Sequence, residues 1–75
     1  MAKTLVPIAD GVEEMEAVII VDTLRRAGWE VSSAGVEAQI VTASRGVRLV
    51  PDVAWEIVKP ETFDILVIPG GLDGT

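Results

Sequence analysis

The chain has 75 residues, 49% of them hydrophobic, and a formal net charge of −6 from six Lys and Arg against twelve Asp and Glu. This acidic balance excludes a nucleic-acid-binding surface, which needs clustered positive charge, and no apolar run is long enough to span a bilayer. With no cysteine and no histidine, a disulfide framework and zinc or copper centres are excluded, and most nucleophile and base options are missing from these residues.

The start Met1-Ala2-Lys3 lacks the features of a secretory leader, so the expected location is cytoplasmic. A chain of this length buries only about 60% of its unfolded surface. So apolar a composition suits a sheet covered on both faces, which usually needs a longer chain. The expectation is that residues 1–75 form the amino-terminal part of one α/β domain, with no cofactor and no metal.

Thr4 to Ala9 reads as a strand in which Pro7, lacking an N–H, predicts a bulge or strand end. Asp10 and Gly11 form a turn. Glu13 to Ala27 reads as a helix, with three carboxylates near its positive end, Arg25 and Arg26 in its last turn, and Gly28 at the C′ position. Trp29 to Ala34 is a second strand, ending at Gly35. Gln39–Ala43 and Val47–Val50 are short strands joined through Ser44, Arg45 and the turn residue Gly46. Pro51 to Glu61 is irregular, with one or two helical turns around Val53, Ala54, Ile57 and Val58. Ile65 to Ile68 is an unbroken apolar run, as in a strand buried on both faces. Strand, helix, strand, hairpin, short helix, strand and loop in this order make the first half of a flavodoxin-like, doubly wound, mostly parallel sheet with three α/β/α layers.

The helix has two apolar faces. Ala17, Ile20, Val21, Leu24 and Gly28 fall at helical spacing and pack on the sheet. Met15, Val18 and Ile19 lie off that stripe and need another cover. The rest of the fold is one candidate cover, and a second copy in a twofold homodimer is the other.

Two features carry chemistry. The last strand runs into Pro69-Gly70-Gly71-Leu72-Asp73-Gly74-Thr75, and ligands of open α/β sheets gather beyond the carboxyl ends of strands. Glycine there lets backbone N–H groups face a ligand or a developing anion, although the pair also makes a tight strand-to-helix turn. The second feature is the cluster Glu13, Glu14 and Glu16. Favourable charge at a helix N-terminus, about 0.3–1 kcal/mol each, accounts for most such carboxylates. Glu16 borders the sheet-facing stripe, about 40° from Ile20 around the helix. Partial desolvation at that position favours a protonated carboxyl, able to donate a hydrogen bond or act as a general acid. Glu13 also lies over the stripe, so periodicity does not separate the two.

The run Ala9-Asp10-Gly11-Val12-Glu13-Glu14-Met15-Glu16-Ala17, with Val21-Asp22, Leu24-Arg25-Arg26-Ala27-Gly28, Ala43-Ser44-Arg45-Gly46 and Asp64-Ile65-Leu66-Val67-Ile68-Pro69-Gly70-Gly71, resembles the ThiJ/PfpI superfamily. The similarity is to the branch of the Parkinson's-disease protein deglycase and its bacterial thiamine-named homologues, and it spans the chain in order. The resemblance implies a flavodoxin-like fold and a homodimer with Met15 at the interface. It implies a cysteine nucleophile beyond Thr75, held and tuned by Glu16, with the backbone of Gly70 and Gly71 as an oxyanion-binding wall. It places Arg26 and Arg45 near the site and the interface. Without it, Arg26 reads as a helix-end dipole partner and Arg45 as a solvated turn residue.

The activity so implied is on small reactive carbonyls, as a glutathione-independent glyoxalase or a deglycase of glycated proteins, with a role in oxidative stress. Residues 1–75 alone are expected to be inactive without the carboxyl-terminal remainder. A redox-sensing chaperone or interaction protein is the alternative. A phosphate- or nucleotide-binding module using Gly70–Gly74 is weaker, because the loop lacks the Lys and Ser or Thr of a P-loop.

Overall fold

The computed structural model describes residues 3–37, 39–58 and 62–70. The elements in chain order are β1 (Lys3–Ile8), α1 (Glu14–Arg26), β2 (Glu30–Gly35), β3 (Val41–Thr42), β4 (Arg48–Leu49), β5 (Val53–Ala54) and β6 (Ile65–Leu66). Four strands form a parallel sheet in the order β5-β2-β1-β6, and β3 and β4 form a separate antiparallel pair. A parallel pair needs a crossover, and α1 supplies it between β1 and β2. The sheet and crossover match the expected α/β class.

β1 lies inside the sheet, and Thr4, Leu5 and Val6 are fully buried in succession, the pattern of a strand covered on both faces. Pro7 causes no bulge: the β1–β2 register runs unbroken from Lys3↔Glu30 to Ile8↔Gly35. The carbonyls of Lys3 and Leu5 accept from Asp64 and Val67 on the β6 side. Pro7 shares their orientation by the two-residue period, so its missing N–H falls on the side where pairing with β6 has already ended at Leu5. The Thr4 hydroxyl is buried without a hydrogen-bond partner among the described residues. Thr4→Val removes that desolvated group at nearly constant shape, so thermal unfolding should show a gain of about 1 kcal/mol.

Helix α1 ends as its sequence dictates. Gly28 has φ +87°, its N–H donates to the Arg25 carbonyl, and the Trp29 N–H donates to that of Leu24. These two bonds make a Schellman motif, with Leu24 and Trp29 in its hydrophobic pair of positions. Ala17 is buried in the core, and Ile20, Val21 and Leu24 pack against it with Trp29, as the stripe predicts.

The segment after the hairpin differs from expectation. Val53 and Ala54 are not helical: they pair in parallel with Ala34 and Gly35 as β5, followed by a turn at Trp55–Ile57. Asp52 explains the difference. Its Oδ2 accepts from the Ser33 N–H at 2.9 Å, the Ser33 hydroxyl at 3.1 Å and Arg25 Nη2 at 2.7 Å, while its N–H donates to Ser33 Oγ at 2.9 Å. These contacts lay the chain alongside β2 before any helix begins. Burial works to raise the Asp52 carboxyl, but the Ser33 hydrogen bonds and the Arg25 charge outweigh it and hold it below its usual range. The regular strand within the Ile65–Ile68 run is shorter than expected, Ile65–Leu66; within residues 1–75 it is the last strand of the sheet order, and Leu66 and Ile68 are exposed.

Candidate functional site

The carboxyl end of β6 and the amino end of α1 meet through Gly70. Its carbonyl accepts from the Glu13 N–H at 2.8 Å, and its own N–H donates to Glu16 Oε1 at 3.1 Å. Glu13 caps the helix, its Oε1 accepting from the Glu16 N–H at 3.1 Å. One helical turn therefore satisfies both backbone groups of Gly70. A Cβ added to Gly70 would lie 3.0 Å from Glu16 Oε1, 3.1 Å from Oε2 and 3.3 Å from Cδ, so the residue must be glycine for the carboxylate to sit this close.

Of the residues expected at the site, the structure joins Glu16 and Gly70. Gly71 and the rest of the glycine loop lie outside the described residues. The Gly70 N–H is committed to Glu16, so it does not point freely at an incoming anion. Within residues 1–75 Glu16 is exposed, while Ala17 beside it is buried. No partner holds its Oε2 among the described residues.

Arg26 is at the other end of α1, ten residues and about 15 Å from Glu16 along the axis. Its Nε bonds both carboxylate oxygens of Asp22 at 3.1 Å, an exposed i,i+4 pair worth about 0.3–0.5 kcal/mol. Met15, Val18 and Ile19 are 67%, 52% and 58% exposed, leaving the second apolar face of α1 open. Among the described residues no acidic or histidine cluster could hold a metal ion, and no helix is long and apolar enough to cross a membrane.

Sequence reasoning passed over Glu14. It is buried, with Oε1 accepting from the Ser44 hydroxyl at 2.7 Å and Oε2 from the Arg45 N–H at 2.9 Å. Its own backbone N–H at the helix start lowers its pKa most, and the Ser44, Arg45 and Glu13 hydrogen bonds add to this; against the opposing effect of burial they bring it to about 2. A carboxyl lowered from 4.5 to about 2 stabilises the fold fully above its unfolded pKa and loses that contribution as pH falls through the folded value. Wild type and Glu14→Gln should therefore differ in chemical-denaturation midpoint near neutrality and converge between pH 4.5 and about 2. A difference that stays constant down that range would contradict the assignment. Ser44, in the turn between β3 and β4, carries no sequence signal for this contact, which spans 30 residues.

The β3–β4 hairpin is anchored to the same loop. Thr42 donates its N–H to Asp10 Oδ1 at 2.9 Å and accepts from the Gly11 N–H at 2.9 Å, and the Ser44 N–H donates to the Val12 carbonyl at 2.8 Å. Gly46, at φ +86°, closes the turn by donating to the Ala43 carbonyl at 2.9 Å. Loop, hairpin, helix start and the end of β6 thus form one hydrogen-bonded unit at the carboxyl edge of the sheet.

Known proteins resemble this chain in sequence and in fold. The profile of the DJ-1/PfpI family matches residues 2–75. Protein dj-1beta of Drosophila melanogaster is 46% identical over 72 residues, covering 95% of this chain and 38% of that protein. Glutathione-independent glyoxalase DJR-1.2 of Caenorhabditis elegans is 46% identical over 70 residues, covering 93% of this chain and 37% of that protein. Among solved structures, oxidized Toxoplasma gondii DJ-1 superposes with a TM-score of 0.91 at 49% identity, over 97% of this chain and 40% of that one. The chain therefore spans well under half the length of these relatives. With the family profile matching residues 2–75 and the fold superposing on a solved relative over 97% of its length, the chain belongs to the DJ-1/PfpI family.

Proposed function

We propose that this chain forms one wall of a cysteine-dependent site acting on small reactive carbonyls, as a glutathione-independent glyoxalase or as a deglycase of glycated proteins. The observation that carries the reading is the 3.1 Å bond from Gly70 N–H to Glu16 Oε1. It fixes a carboxyl at the end of a parallel strand, where open α/β sheets gather their chemistry, with Oε2 unpartnered among the described residues. The similarity to a protein named a glutathione-independent glyoxalase supports the substrate class.

In this reading a thiolate from the remainder of the protein adds to the aldehyde carbon of methylglyoxal, giving a hemithioacetal. Glu16 takes the proton from that carbon and returns one to the neighbouring carbon. The first carbon is thereby oxidised and the second reduced, with no external oxidant, and the product is a lactoyl thioester. Water cleaves it to lactate and free thiolate. Oxyanion stabilisation falls to Gly71, because the Gly70 N–H is engaged. A homodimer closes over Met15, Val18 and Ile19, with Arg45 serving the site from the edge of that interface and Arg26 left to the interface alone.

The test is lactate formation from methylglyoxal by the full-length protein without glutathione, together with its mass by sedimentation. Stoichiometric lactate from a dimer supports the reading. If a dicarbonyl is not consumed and mild peroxide instead adds two oxygens to a cysteine beside Glu16, the redox-sensing alternative replaces it.

A further inference from the structure

Glu14 takes no part in the reaction outlined above, yet it is the buried carboxylate of the described chain. Its two oxygens and the Val12 carbonyl hold two consecutive hairpin residues by three bonds of 2.7–2.9 Å. Arg45 is thus pinned by its own backbone, while its side chain is exposed. Arg25 and Arg26 are paired with Asp52 and Asp22, whereas the Arg45 guanidinium has no acidic partner among the described residues. Arg48 is likewise exposed and without an acidic partner among the described residues, but of the two only Arg45 has its backbone held by the buried Glu14 carboxylate. Val18 is one helical turn from Glu14 on the same side of α1, so the turn stands beside the open apolar face.

We propose that Glu14 is the positioning residue for Arg45: its two carboxylate oxygens lock the Ser44–Arg45–Gly46 turn onto the first turn of α1 and set where the guanidinium is presented. This rests on the preceding reading, in which Arg45 serves the site.

The experiment compares full-length wild type with Glu14→Ala, Glu14→Gln, Arg45→Ala and the Glu14→Gln/Arg45→Ala double variant, reading kcat/KM for methylglyoxal and the modification rate of Arg45 relative to Arg48 by 1,2-cyclohexanedione, which has no aldehyde carbon. Glu14→Ala should lower kcat/KM about tenfold through misplacement, as should Arg45→Ala. Glu14→Gln keeps one acceptor oxygen and should fall between, and it keeps the test open if the alanine variant fails to fold. With Arg45 already removed, adding Glu14→Gln should cost less than about twofold, because a residue acting through another is not additive with it. The modification rate of Arg45 should change several-fold in the Glu14 variants and that of Arg48 should not. Additive losses, or an unchanged Arg45 rate, overturn the proposal. If wild type does not consume the dicarbonyl, the preceding reading fails, and the Arg45 rate alone then decides for or against the clamp.

Discussion

Glu16→Gln in the full-length protein should lower kcat for lactate formation by about 10²- to 10⁴-fold, the usual contribution of a positioned proton-transfer group. The amide keeps an oxygen at the Oε1 position to accept from Gly70 N–H but does not exchange protons with substrate. Glu16→Ala removes the acceptor as well. It should lose activity to the same extent and, in addition, about 0.5–1.5 kcal/mol of stability with the hydrogen bond. The two variants thus separate chemistry from scaffold: equal kcat loss with unequal unfolding midpoints. A glutamine variant with wild-type kcat would remove Glu16 from the reaction and leave it a structural acceptor.

The second large effect is expected at Gly70. Gly70→Ala puts a Cβ 3.0–3.3 Å from the Glu16 carboxylate, tighter than ordinary contact. The far end of an exposed side chain gives way by a few tenths of an ångström, so the fold should survive with a small change in Tm. The carboxylate does not keep its place, however; since misplacement of about 1 Å costs on the order of 10²-fold in rate, a shift of a few tenths should cost roughly several-fold. Gly70→Val should be worse, since its branched side chain displaces the carboxylate further. Kinetics alongside amide exchange at residue 70 checks this: lost protection with lowered kcat is expected, and full protection with full activity in the alanine variant would contradict the close approach.

Local signals were readable where the physics is local. The end of α1 was legible because Gly28 and the apolar pair Leu24 and Trp29 are Schellman chemistry within six residues. The hairpin turn was legible because Gly46 takes a left-handed φ that few other residues accept. Val53–Ala54 was not, because its state depends on Asp52 reaching Ser33, 19 residues away, and two residues carry no periodicity of their own. Glu14 stood unremarked between two other glutamates, all equally suited to a helix N-terminus; only the hairpin's return to the helix distinguishes it.

The sequence by itself determined the class of fold, the two-faced helix and the family, through apolar periodicity, capping residues and motif order. Those quantities are set by neighbours within a few positions. What only the tertiary structure decided is which of three adjacent carboxylates meets which backbone. Glu13 caps the helix, Glu14 holds the Arg45 turn, and Glu16 meets Gly70. The reason is geometric: successive helical residues point about 100° apart, so the carboxylates face different parts of the fold; Glu13 bonds within its own helical turn, whereas the parts that Glu14 and Glu16 meet lie 30 and 54 residues away in the chain.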